Sequence, residues 1–314
     1  MSYKLYPLQD RSKLPELCSL FAKGLADTTV DYWLWKHFSH NGHPEGMILV
    51  AEAEDGSLAG MFALQPENYR RGEECLVVVQ MMDLVIDPRY RGTGLMKRLF
   101  QYAKWNYTEK GYWGFTGFPN PKSFPILTKY GAKDMGDISS LETGKRIVPI
   151  YIGRKKQQFG CWTLELKEEM PDDLFLTDKI SAFQMDKPKA FMEWKFAANP
   201  EERFQWLTIR RNGTLEGYLV VHITRGRLRR AVNVYDWGLK NTVGATVLKQ
   251  AVNLLLTHGN WVELWGRYSE EDQRLWREAG LNRKSDQRTH FLLMPFGANP
   301  IPDRWHLTRA DLDY

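Results

Sequence analysis

Cysteine is scarce. The 314 residues hold three, Cys18, Cys75 and Cys161, far apart and odd in number. They offer neither metal-ligand spacing nor a disulfide framework, so the expectation is reduced, buried thiols in a cytoplasmic protein with no metal site. Long apolar runs are missing too. None approaches the ~18 residues that cross a bilayer, and Met1-Ser2-Tyr3-Lys4 opens no secretory apolar core, so no membrane insertion is expected. Charge of one sign is not in large excess. A formal net charge of +5 suits an anionic, nucleotide-like ligand but is too small and too spread to call for nucleic acid.

Hydrophobic residues make up 43% of the chain and aromatics 13%, with 12 Trp. That composition and length are long for one ordinary core and comfortable for two.

The most informative stretch is Leu76 to Arg98, LVVVQMMDLVIDPRYRGTGLMKR. Leu76 to Ile86 is apolar and β-branched, which suits a largely buried strand. Asp87-Pro88 ends it, because Pro88 has no N–H for a ladder and biases Asp87 toward an extended conformation. The turn Arg89-Tyr90-Arg91-Gly92-Thr93-Gly94 leads into the amphipathic segment Leu95 to Ala103. Strand, basic glycine turn and helix N-terminus together supply free backbone N–H groups, a positive dipole end and guanidinium charge, which make an anion site. An ordinary βα turn whose glycines merely permit positive φ is the plainer alternative. Gly-Lys-Ser/Thr and Gly-x-Gly-x-x-Gly are both absent here, which removes the Walker-type and dinucleotide-fold readings.

Arg89-x-x-Gly92-x-Gly94, after strand-Asp-Pro and before Leu95, resembles the Arg/Gln-x-x-Gly-x-Gly/Ala signature of the GNAT acyltransferases. The resemblance implies that acyl-coenzyme A is the co-substrate. It implies that the N–H groups of Arg91, Gly92, Thr93, Gly94, Leu95 and Met96 take its pyrophosphate, with Arg89 and Arg91 adding charge. It also implies that backbone groups of Leu84, Val85 and Ile86 hold the pantetheine arm and polarise the thioester. Asn120 stands where relatives bind the CoA arm, or caps the next helix.

The order of elements agrees with that resemblance. Helices are expected at Leu14–Ala26 and Val30–Phe38, a hairpin through Asp55-Gly56, the long strand, the turn and its helix. A strand near Tyr112–Phe118, a helix before Gly131 and closing strands near Asp137–Tyr151 follow. The second half repeats this order. Tyr32-x-x-Trp35-Lys36 is echoed by Phe191-x-x-Trp194-Lys195, and Gly56 and Gly60 recur at the same spacing as Gly213 and Gly217. The expected fold is therefore α/β (α+β), with two tandem GNAT-like domains, each a mixed, mostly antiparallel central sheet flanked by helices. The polar stretch Gly153 to Gly160 suggests a boundary, giving domains 1–155 and 156–314. The second copy reads Gly238-Leu239-Lys240-Asn241-Thr242-Val243-Gly244 at the turn and lacks the signature, so it is expected to be degenerate.

Acyl transfer needs a neutral amine and protection of the departing thiolate. Relatives often place a carboxylate on or near the central strand. Asp83 is the match, either as base or as a structural acid paired with a neighbour, since a carboxyl in so apolar a strand needs a purpose or a partner. The Tyr that many relatives carry four residues before the Gly corresponding to Gly131 is Leu127 here, and Tyr130 should face another way, so the usual acid is missing. His37, His40, His43 and His222 are alternatives. Trp33 and His37 share a helix face and are candidates to wall the acceptor site. Trp35, repeated as Trp194, reads as core.

The resulting expectation is transfer of an acetyl or longer acyl group to the primary amine of a small molecule. A nucleotide-linked amino sugar of polysaccharide synthesis is the class to which the resemblance points. The chain is expected to be a cytoplasmic monomer or homodimer. An antibiotic-modifying enzyme should show an acidic acceptor cleft. A tRNA-dependent aminoacyl transferase should show a basic RNA surface and no need for the turn. A non-catalytic acyl-CoA-binding protein is kept in play by Leu127.

Overall fold

The computed structural model describes residues 2–39, 46–144, 152–174, 181–226 and 230–312. His40 and His43 lie outside them. Met1–Gly136 with His290–Pro302 form one compact unit, and Asp137–Thr289 with Asp303–Tyr314 form the other.

The first unit contains β1 (Tyr3–Pro7), α1 (Leu14–Gly24), α2 (Val30–Phe38), β2 (Met47–Ala53), β3 (Leu58–Arg71), β4 (Glu74–Ile86), α3 (Leu95–Glu109), β5 (Gly114–Gly117) and α4 (Phe124–Lys129). Thr29 starts α2 by accepting the Tyr32 N–H at 3.1 Å. Strands β1 to β4 pair antiparallel in sequence order, and β5 joins β4 in parallel. One face of this sheet packs Leu17, Trp33, Met61 and Val85 beneath α1 and α2, and the other packs Leu99, Phe100, Phe62 and Phe115 beneath α3. Full burial of each such side chain stabilises by about 1.5–3 kcal/mol. The β3–β4 hairpin is longer than the sequence pattern suggests: β3 runs on through Gln65 to Arg71.

Next come β6 (Lys133–Gly144), β7 (Lys156–Phe159), β8 (Trp162–Lys167), β9 (Phe183–Met185), α5 (Lys189–Met192, continuing as a π-helical turn to Ala197) and β10 (Phe204–Arg211). The chain goes on with β11 (Thr214–Arg225), β12 (Arg230–Leu239), α6 (Ala245–Leu255), β13 (Trp261–Arg267), α7 (Glu270–Glu278), β14 (Arg283–Pro295) and β15 (Trp305–Thr308). The second unit's sheet runs β6-β13-β12-β11-β10-β8-β7, with only β12 and β13 parallel along that path. Val247, Leu248, Ala251 and Leu255 of α6 close its core over Val232 and Leu264.

Both units thus have a mixed, mostly antiparallel sheet flanked by helices, as expected. The division differs from the expected 155/156 boundary in a specific way. The strand after Gly131 pairs along β13 in the second unit, while Leu292–Pro295 pair antiparallel with Gly114–Gly117 in the first. A closing strand near the middle of the chain and one near its end have traded units, which a linear boundary cannot express.

Candidate functional site

The turn after β4 is built by local chemistry. The Asp87 carboxylate is almost fully buried, and it accepts from the Arg89 backbone N–H (2.9 Å), from Arg89 Nε (3.1 Å) and from Lys23 Nζ (3.2 Å). The hydrogen bonds from Arg89 outweigh burial and hold Asp87 well below the usual carboxylate range. Gly92 (φ 77°) and Gly94 (φ 80°) take the left-handed conformation, and a Cβ on either would meet no atom within 4 Å, so the space above the turn is open. Gly94 caps α3 without a side-chain partner, leaving the first N–H groups of the helix directed at that space. Thr93 Oγ1 donates to Tyr90 O (2.7 Å) and accepts from Tyr3 OH (3.0 Å), which clamps the turn to β1. Arg91 Nε reaches Ile86 O (3.3 Å). Leu95 is buried under the turn and Met96 is half-buried.

β4 leads to this turn along an open edge. Its parallel pairing with β5 covers only Val78–Gln80 against Gly114–Thr116. Beyond Gln80 no strand pairs with β4 on that side among the described residues, so backbone groups along Leu84, Val85 and Ile86 are available there. The other edge of β4 carries a bulge: Phe62 faces Leu84 and Leu64 faces Met81, so the register slips at Met82-Asp83. Bulges re-aim side chains and recur beside active sites.

This bulge directs Asp83 onto α2. Asp83 Oδ2 accepts from Lys36 Nζ at 2.9 Å and lies 3.2 Å from His37 Nε2. The three side chains are 9%, 4% and 5% exposed. Burial pushes the Asp83 carboxyl up, but the Lys36 charge and the His37 contact prevail and hold it below its ordinary value. A carboxylate so held is a weak proton acceptor. The His37 ring packs against Trp33 at 4.5 Å, tilted by 37°. Trp33 itself is 1% exposed and meets Phe21 edge-on, so it is a core residue and offers no face to an acceptor, contrary to expectation.

Asn120 shapes the turn that leads into α4: Oδ1 accepts from the N–H groups of Lys122 and Ser123, both at 3.0 Å. Leu127 is buried, and the Tyr130 ring stacks on Phe100 at 5.3 Å. Sequence reasoning missed a buried polar row. Gln65 pairs across the sheet with Gln80, and Gln80 with Thr116, all three buried, with buried Glu67 two residues along β3. The signal was present as Gln65-x-Glu67 at strand period inside an apolar hairpin. Lys36 was visible only as half of a repeated Trp-Lys pair. Among the described residues, no cluster of three or more His, Cys, Asp or Glu is placed to hold a metal ion, and no helix is long and apolar enough to cross a membrane.

The second unit repeats the bulge and fills the gap. Leu219 faces Trp237, Val220 faces Asp236, and Val221 faces Val234, so the slip falls at Tyr235 and Asp236 stands where Asp83 does. Pairing of β12 with β13 ends at Val234 and Leu264, and β15 pairs with β13 immediately beyond, at Gly266 and Arg267. Thr308 Oγ1 donates to Asp236 Oδ1 (2.8 Å), and Lys187 Nζ bonds Asp236 (2.9 Å) and Thr308 (2.7 Å). The chain's own strand thus lies in the gap that stays open in the first unit.

Residues 14–124 match the model of the acetyltransferase (GNAT) family. No curated protein matches the sequence significantly. Among solved structures, a GCN5-related N-acetyltransferase from Anabaena variabilis aligns over 94% of this chain and 73% of its own, at 14% identity and a TM-score of 0.69. A tandem GNAT protein from the clavulanic acid biosynthesis pathway aligns over 95% of this chain and 100% of its own, at 14% identity and a TM-score of 0.63. Saccharomyces cerevisiae N-myristoyltransferase with bound myristoyl-CoA aligns over 97% and 86%, at 10% identity and a TM-score of 0.60.

Proposed function

From the premise that this chain is a GNAT-type N-acyltransferase, with residues 14–124 its acetyltransferase (GNAT) domain, we propose that it passes an acetyl or longer acyl group from CoA to the primary amine of an amino sugar, carried on a nucleotide. The observation that carries the CoA half is the open edge of β4 beyond Gln80, running into a turn with two left-handed glycines under unobstructed space. Pantetheine would lie along Leu84, Val85 and Ile86. The pyrophosphate would take the N–H groups from Arg91 to Met96. Arg89 and Arg91, both on the surface of the turn, would supply charge once the phosphates compete with Asp87 and Ile86 O for them.

For the acceptor, the buried polar row Gln65–Gln80–Thr116 and the mild positive charge support a hydroxylated, anion-bearing molecule such as a nucleotide-linked sugar. A cytoplasmic setting would supply both acyl-CoA and such sugars. The second unit serves as a copy that no longer binds CoA.

The test is thiol release from several acyl-CoAs against a panel of amino sugars and their nucleotide derivatives. Release driven by an amino sugar supports the reading. Tight CoA binding with silence across a broad amine panel would make the chain an acyl-CoA-binding protein. That second reading draws on one observation, the packing of Leu127 and Tyr130 where an acid would stand.

A further inference from the structure

A turn that takes a phosphate on its backbone N–H groups binds best when those groups already point where the anion will sit. Gly92-Thr93-Gly94 is poorly suited to hold such order alone. Both glycines stand at positive φ, and glycine gives up more conformational freedom on being fixed than any other residue. We propose that Tyr3 is a positioning residue for the pyrophosphate of the acyl donor: its hydroxyl, acting through Thr93, fixes this turn before the donor arrives. This rests on the acyl-CoA reading of the same turn.

Thr93 is the member of the three that carries a side chain, and its hydroxyl is used twice. It donates to Tyr90 O at 2.7 Å, which closes the turn on itself, and accepts from Tyr3 OH at 3.0 Å. The first bond is local. The second reaches across 90 positions of chain to β1, where Tyr3 pairs with Ala53 of β2. Tyr3 is 7% exposed, so it supports the turn rather than meeting the ligand. The turn is tied at a second point. Ser57 Oγ donates to Asp55 (2.7 Å), so the Tyr90 hydroxyl, 3.0 Å away, donates to Ser57 Oγ. Tyr3 and Tyr90 meet edge-on at 6.0 Å.

The chemistry of the clamp suits an anion. A phenol hydroxyl brings no charge to the turn, and the Tyr3 ring seats the Arg98 guanidinium at 5.5 Å, one turn into α3. The turn of the second unit, which lacks the signature, is tied by a carboxylate instead: Thr242 Oγ1 donates to Glu216. A carboxylate in that place would repel a phosphate.

The experiment compares wild type, Tyr3→Phe, Thr93→Val and the double variant as full chains. Tyr3→Phe keeps the ring and removes one hydroxyl. Thr93→Val keeps the branched shape and removes both bonds. Calorimetry gives the affinity for CoA, and competition against CoA gives that for pantetheine, which lacks the phosphates. Thiol release with the best acceptor gives kcat and KM. Tyr3→Phe is expected to weaken CoA binding about five- to tenfold, the worth of one hydrogen bond, and to raise KM for acyl-CoA to match. Its kcat and its affinity for pantetheine should stay within about twofold of wild type. In the Thr93→Val background Tyr3→Phe should add nothing, because the bond is already gone. A folded Tyr3→Phe that keeps CoA affinity within about twofold overturns the assignment. An equal loss for pantetheine does so too, since it would make Tyr3 a general support of the fold, as do additive effects in the double variant. A wild type that binds no CoA overturns the reading of the turn and the clamp with it. A wild type that binds CoA but releases no thiol with any amine overturns the transferase reading alone, since the affinities still decide the clamp.

Discussion

Asp83 and Asp236 occupy the same register position, each at the bulge of its unit's central strand and each bonded at 2.9 Å to a buried lysine. One lies beside an open strand edge and the other beside an edge filled by β15. The aspartate is thus common to both units, while the open edge distinguishes the first from the second.

Gly92→Val and Gly94→Val should weaken CoA binding tenfold or more while leaving the melting temperature within a few degrees. Each glycine holds a positive φ that costs a β-branched residue roughly 1–3 kcal/mol, and the added side chain would stand in the phosphate's space. Calorimetry with CoA and a thermal melt decide it. Unchanged affinity would remove the pyrophosphate assignment.

Asp83→Asn should destabilise the protein by about 3–5 kcal/mol, because it removes the negative charge beside the buried Lys36 ammonium. Turnover should fall more than CoA affinity. Since folding lowers the Asp83 pKa, its stabilising contribution is complete above the ordinary carboxylate value of 3.8 and is lost as pH falls through the lower folded value. The gap in stability between wild type and variant should be level near neutrality and close in acid. Denaturant melts across pH would show it, and a gap that persists in strong acid contradicts the account. Asp83→Leu with Lys36→Met should recover much of the loss.

CoA should bind with a stoichiometry of one per chain. In the second unit, β15 occupies the gap and the Gly-x-Gly turn is absent. Calorimetric titration or intact-complex mass measurement would settle this, and two equivalents at comparable affinity would contradict it.

Lys187→Met should release the C-terminal strand of the second unit. Lys187 lies between Asp236 (2.9 Å) and Asp311 (3.1 Å), and removing it leaves buried carboxylates facing one another. Burial pulls its pKa down, but the two carboxylates prevail and raise it. Its contribution is therefore complete below the ordinary lysine value of 10.5 and lost as pH rises through the higher folded one. Amide exchange at Trp305–Thr308 should quicken at neutral pH. Unchanged protection there would show that the strand is held by other means.

The glycine turn after β4 was readable from sequence because its determinants are local: a proline ending a strand, two glycines at fixed spacing and a helix beginning on the next residue. The repeat was readable for the same reason, as short-range pieces recurring in order. The exchange of closing strands was not, because only long-range pairing assigns β6 and the end of β14 to their units.

Sequence alone determined the strand, the glycine turn and the helix that follows it, the absence of that turn's signature from the second copy, and the leucine at position 127. Tertiary structure decided the roles of the polar residues. Asp83 meets Lys36 across 47 positions of chain, Trp33 turned inward, and Gln65, Gln80 and Thr116 became one buried row. The physical reason is desolvation. Backbone conformation is set by neighbours in sequence, but a buried charge takes its meaning from whichever partner the packed sheet and helices bring within 3 Å, and no local pattern names that partner.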